Sequence, residues 1–497
     1  MSANPLHPLP EKGFDVWKAQ HLLNRAGFGG SPADARALRD LGIAKAVDRL
    51  VDFDSIDADP APEWDRDIMR PPTAEELDVA RRARAANDEA TLARLQRERQ
   101  DREMRDRGQL AEAQRWWMRR VIETGRPLEE KLTLFWHGHF ATGYRTIEDS
   151  WHMIAQNGLF RANAAGNFAT LVAAVVHDPA MLKYLDNDEN RRNRPNENLA
   201  RELMELFVLG EGNGYTETDI KEAARALTGY TFRDDQFSFD ANEHDPTPKQ
   251  VLGVRGALDG DDVVRILLRR QDASEFICLK LYRFFVNDAP GKLDEQRRDV
   301  VKAMARELRE AKYELRPMLK ALFRSEHFYA DANQGQVIKS PIQLIAQTIR
   351  SYRTPTRSLS TLVAAADLMG QQLFQPPNVK GWEGGRTWIN TATYFVRQNI
   401  AIYLLTGRRP SHLDWAENAD RFDATPLVAD LKDATGGAPD PVDLATFLLR
   451  FSLGTVPSPQ RVDTIAGFLR STAGAPENDR LIGGLALVTA LPEYQLC

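Results

Sequence analysis

Two cysteines among 497 residues are too few for a disulfide framework or a zinc-type cysteine cluster. Cys278 sits in the apolar stretch EFICLKLYRFFV and reads as a buried, inert thiol. Cys497, the last residue, reads as a mobile end. No run of roughly 18 apolar residues occurs, so no membrane-spanning helix is expected. The opening MSANPLHPLPEKGFDVWKAQ lacks a basic start followed by an apolar run, so a signal peptide is not expected and the cytoplasm is. Neither sign of charge dominates: 65 basic and 71 acidic residues leave a net −6, which offers no global field to nucleic acid or an anionic membrane. No P-loop, dinucleotide glycine motif or nucleophile elbow stands in a convincing context. RAGFGGSP is glycine-rich but follows no strand. Internal repeats and low-complexity tracts are absent as well.

What the chain does have is helical periodicity. KAQHLLNRAG ends at Gly27 and SPADARALRDLG at Gly42, each where a helix cap belongs, and Ser31–Pro32 reads as an N-cap with proline at the first turn. Residues 73–124 form a long charged helical segment whose arginines alternate with acids, so it reads as a solvated, ion-paired helix rather than a nucleic-acid arm. It ends in Trp116 and Trp117, where the chain returns to the core. FICLKLYRFFV is apolar almost all round and predicts a central helix. YTFRDDQFSFD and KQVLGV favour strands. The fold class is therefore mainly α, multi-helix and globular, with a small β-hairpin or three-stranded patch near 230–254. Residues 423–497 read as a C-terminal helical part, entered through a loop at GGAPDPVD.

Four constellations carry possible chemistry. In FWHGHFATG, His137 and His139 are one residue apart. On an extended segment they could share a metal; on a helix they diverge by roughly 200° and only favour its C-terminus. Gly138 and the preceding helix place His137 in the last turn and His139 after it. In NENLARELMELF, Glu197, Arg201 and Glu205 share a helix face, either as an ion-pair ladder or with Glu197 ionised at the helix start as a ligand or base; Glu202 lies off that face. The preceding loop has EF-hand spacing at Asp186, Asp188, Asn190 and Glu197, but Arg191 stands where glycine is needed. His244 and Asp245 form either a turn element or part of a site. The loop PPNVKGWEGGRTWINTAT carries Trp382, Arg386 and Trp388, suited to a sugar ring or planar ligand, or else pinned to the core by its tryptophans.

These blocks, with HLLNRAGFGGSP, DPAMLKYLDN and HDPTPKQVLG, resemble in order a large bacterial family known only as domain of unknown function 1800, over most of residues 1–497, which favours one family domain. The family has no established reaction. The resemblance implies members that are often exported, and gene neighbours of a family that bears twin-arginine signals and resembles sulfatases and phosphatases. This chain has HGH where relatives more often have asparagine between the histidines, and HDPTPK where they have glycine before the lysine segment. The leading expectation is a metal-dependent hydrolase: His137, His139 and His244 as ligands of a divalent metal, Glu197 as ligand or base, Arg201 orienting it, Asp245 beside His244, and Trp382, Arg386 and Trp388 walling the substrate. A metal-free, two-carboxylate glycoside-cleaving variant would use Glu197 and Glu202. The alternative is a non-catalytic scaffold or export partner of a signal-bearing protein encoded nearby, carried with it to the periplasm, its polar residues a buried network.

Overall fold

Local chemistry sets the helix starts. Ser31 accepts from the N–H of Asp34, whose carboxylate caps Ser31 in return, and Pro32 opens the helix Pro32–Asp40. Thr216 with Asp219, and Thr73 with Glu76, repeat the device ahead of Glu217–Ala226 and Ala74–Ala85. The computed structural model describes residues 4–435 and 437–497. Among these, twenty-three α-helices and two two-stranded antiparallel sheets account for most of the regular structure. The chain is mainly α, as its periodicity predicts. The strand region resolves into two hairpins, Tyr230–Arg233 with Gln236–Phe239 and Lys249–Val251 with Val254–Gly256. Left-handed residues at Asp234–Asp235 and Leu252–Gly253 close the two turns, and no strand of one hairpin pairs with a strand of the other. Gly436 of the expected GGAPDPVD loop lies outside the described residues.

The charged segment breaks at Ala86 into Ala74–Ala85 and the 35-residue helix Glu89–Glu123. Ion pairs such as Arg94–Glu98 and Arg99–Glu103 line its solvated first half. Asp106, Gln109, Ala113 and Trp117 bury the second half, so the segment folds onto the body. The helix Pro127–His139 is buried on nearly every side. Leu128, Leu132, Phe135 and Trp136 join one apolar cluster and Leu134 the other, so this helix is the seam between two cores. The expected central helix runs Gln271–Phe285, with Cys278 buried in it. Cys497 is also buried, its N–H donating to the Val337 carbonyl at 2.9 Å. The final residue is thus tied down rather than mobile, because backbone pairing with residues 337–339 holds it.

Candidate functional site

The Pro127–His139 helix includes both histidines, so neither lies beyond its end. Their side chains diverge as the helical period requires. His137 Nε2 accepts the Phe374 N–H at 3.1 Å, which places the ring proton on Nδ1, and its ring packs against Trp117, Phe374 and Trp382. His139 Nε2 faces the Phe207 carbonyl at 3.0 Å and must donate to it, which leaves Nδ1 with a free lone pair. Both Nδ1 atoms are buried without a hydrogen-bond partner in the protein. Burial pulls His137 down to about 3 and His139 well below its ordinary value, so both rings are neutral.

His244 lies elsewhere, its Nδ1 2.9 Å from the Thr228 carbonyl. His137, His139 and His244 therefore do not converge on a common ion. The one group of three or more possible metal ligands among the described residues is Asp149, His152 and Asp235, whose ligand atoms lie within 4.8 Å of one another. His152 Nε2 is 2.9 Å from Asp235 Oδ1, and Nδ1 is 3.9 Å from Asp149 Oδ2. Asp149 also caps the helix Ser150–Ala162 by accepting from the N–H groups of Trp151 and His152.

The expected acidic residues belong to ion pairs. Arg201 binds Glu197, Glu205 and Glu217, half-exposed, as a ladder. Glu202 is half-buried, and burial with the neighbouring Glu205 raises its pKa against Arg201 and Lys380. Asp245 accepts from Arg225 at 2.8 Å; burial opposes ionisation, but hydrogen bonds from Arg225 and Thr247 outweigh it and hold the carboxyl well below its usual range. In the EF-hand-spaced loop, Asn187 and Asn190 are buried and bonded to protein, with Asn190 donating to Asn187 and Ala224 and accepting from the Asn196 N–H. These tie the loop internally and leave no calcium-type oxygen cage.

What the fold does assemble is a cavity of about 490 Å³ against the seam helix. His139, Trp382, Arg386 and Trp388 all line it, with residues from both cores. The tryptophan loop is set onto the helix by glycine. Gly381 has φ +76, and a Cβ there would come within 1.9 Å of the Gly138 carbonyl oxygen; a Cβ on Gly138 would press on Trp382 at 3.4 Å. Gly138 between the two histidines is therefore the seat of Trp382.

Seven lining side chains are lysine or arginine, and two, Asp288 and Glu383, are acidic. None of the seven makes an ion pair among the described residues, whose salt bridges lie elsewhere. Arg25 is fully buried and donates to the Phe285 and Cys497 backbone oxygens, while its Nη2 has no partner. Lys131 Nζ donates to the Gly27 carbonyl at 2.9 Å and to Gln343. Lys339 donates to the Tyr494 carbonyl at 2.7 Å. Burial pulls Lys131 down to about 7, and Lys280 and Lys339 to about 8; Cys497 opposes the effect at Lys131 and Lys339. Phe28, Phe135, Phe284 and Trp382 supply the apolar wall. Trp382 Nε1 is a third buried polar atom without a partner. The arrangement offers positive charge, aromatic surface and spare hydrogen-bonding atoms to one partly open cavity.

The Trp–Arg loop was readable from sequence; the lysines were missed. A signal existed, since Lys131 in EEKLTLFW and Lys280 in FICLKLYRFF each interrupt an apolar helical run where lysine is rarely buried. His152 was missed because its partner Asp235 is 83 residues away on a hairpin turn.

Fold and cavity define a mainly α protein with a partly open, cation-lined cavity beside its seam helix. The chain belongs to the family described as protein of unknown function (DUF1800), whose model matches residues 21–496. No curated protein and no solved structure matches it.

Proposed function

We propose that this protein binds a small anionic molecule in the cavity beneath the 376–393 loop. The observation that carries this reading is the set of lining cations without an ion pair among the described residues in a partly open, largely apolar cavity. Arg25, Lys131 and Lys339 are buried and Lys280 half-buried, while Arg283, Lys380 and Arg386 are exposed. The buried charges are costly unless a counter-charge meets them. Trp382, Arg386 and Trp388 wall the ligand, and Lys131, Lys280 and Lys339 set its charge. Arg25 Nη2, His139 Nδ1 and Trp382 Nε1, without partners among the described residues, are the atoms along the cavity that a ligand would meet. Calorimetric titration with oxalate, benzoate and inorganic phosphate, against neutral benzyl alcohol, tests the reading. Saturable binding of at least one anion, weakened by salt and by Arg386→Ala, is expected. Equal, unsaturable behaviour of all four compounds would sink it.

A metal-dependent hydrolase is the second reading, and the cluster Asp149, His152 and Asp235 is the observation that favours it. Glu197, Glu202 and the His137, His139 and His244 set carry it less well, because no three of them share a space. Elemental mass spectrometry of purified protein, with Asp235→Asn as comparison, decides. Near-stoichiometric metal lost in the variant supports a metal centre there, and no metal after incubation with zinc or manganese removes it.

A further inference from the structure

The three cavity lysines are not alike. Lys131 has two oxygen acceptors and lies over the Phe28 and Phe284 rings. Lys339 has the Tyr494 carbonyl and the Tyr494 ring. Both are held in place by the protein. Lys280, on the helix Gln271–Phe285, has no hydrogen-bond acceptor and no carboxylate partner among the described residues; its amine lies over the Phe276 ring, 5.3 Å away. Its neighbours are cationic or apolar, with Arg283 one turn further along the same helix and His139 close enough to feel its charge. An amine desolvated in this way is kept partly neutral and nucleophilic. His139 adds a buried, neutral imidazole whose Nε2 is committed to Phe207 and whose Nδ1 has no hydrogen-bond partner among the described residues. Arg386 and Lys380 stand in the same wall to hold an anionic group.

We propose that Lys280 forms a Schiff base with an aldehyde or ketone that carries an anionic group. This rests on the anion-binding reading above and names the substrate class of the same site. The neutral Nζ attacks the carbonyl carbon. One amine proton passes to the alkoxide oxygen as the carbinolamine forms and the second passes to the departing hydroxyl, both relayed by solvent. Water leaves, and a C=N bond joins Nζ to the former carbonyl carbon. No oxidant or reductant is needed, and the bond is reversed by water.

The test is reductive trapping on the full chain. Protein incubated with glyoxylate or pyruvate is treated with sodium borohydride and mapped by peptide mass spectrometry. Lys280 is expected to carry the adduct at least an order of magnitude above any surface lysine. Lys280→Arg, which keeps the charge, should lose that adduct while still binding oxalate. Lys280→Met, checked for unchanged helicity, should lose the adduct and weaken oxalate binding. Oxalate bound with no excess adduct at Lys280 overturns the Schiff base and leaves anion binding standing. If none of oxalate, benzoate and phosphate binds saturably and no adduct forms, both readings fall. Labelling that is unchanged in Lys280→Arg also overturns the proposal.

Discussion

Glu130 and Lys131 are neighbours in sequence, both buried on the seam helix, and they live in opposite electrostatic worlds. Glu130 faces a closed ionic cluster: Arg120 and Arg161 both donate to it, and Trp117 Nε1 donates at 2.9 Å. Burial opposes its ionisation, but the two guanidinium groups overcome that and hold its pKa below the ordinary value. Lys131 turns the other way, toward the cavity, with amide and carbonyl oxygens but no carboxylate. Burial there wins, and its pKa falls to about 7. A buried charge with its counter-charge in place is architecture. A buried charge left without one, beside the cavity, is the kind the proposed anionic ligand would meet.

The sharpest way to break this comparison is Glu130→Ala. It leaves Arg120 and Arg161 buried and unpaired, so a loss of about 3–5 kcal/mol is expected in urea unfolding. Lys131→Met should cost less, about 1–2 kcal/mol, since losing the desolvated charge is offset against the Gly27 and Gln343 oxygens left without its donor. A cost at Lys131 equal to that at Glu130 would erase the distinction. Next in size is Gly381→Ala, which must move the loop off the Gly138 carbonyl. A loss of about 1–3 kcal/mol is expected, with weaker oxalate binding from displacement of Trp382.

pH separates the two sites without mutation. Lys131, Lys280 and Lys339 have folded pKa values lowered from 10.5 to about 7, 8 and 8. Between those values and 10.5 the unfolded chain binds more protons, so these groups make folding more favourable as pH rises through that window. Oxalate binding should move the opposite way, weakening as pH rises from about 7 to about 9 and the amines lose their charge. Parallel unfolding and calorimetric series check both signs. Binding that strengthens with pH would remove the lysines from the anion site. The smallest effect is expected at Arg201→Ala, whose half-exposed ladder should contribute under about 1 kcal/mol and leave oxalate affinity unchanged.

Much of the fold was legible because its signals are local. Ser31–Pro32, Thr216–Asp219 and Gly27 mark helix ends through hydrogen bonds within a few residues, and the structure places the ends there or within a residue or two. The two-hairpin division was less legible, since it depends on left-handed turns at Asp234–Asp235 and Leu252–Gly253 that residue types only suggest. For the site, Trp382, Arg386 and Trp388 stood out as a loop rich in glycine and aromatics, and His139 joins them. His137 was singled out for its spacing, yet its work is to accept the Phe374 N–H and pack on Trp382. Glu197 and Arg201 were attractive by chemistry and sit in a half-exposed ladder.

The sequence by itself determined the helical class, the cap positions, the family and the loop that walls the cavity, because periodicity, capping and glycine requirements act over a few residues. Only the tertiary structure decided which charges have partners. Lys131, Lys280, Lys339 and Arg25 come from four separate stretches of chain, and no short-range rule says whether a carboxylate will stand opposite each one. Burial and pairing are properties of the packed surface around a charge, so the difference between Glu130 and its neighbour Lys131 exists only once the seam helix is enclosed on both sides.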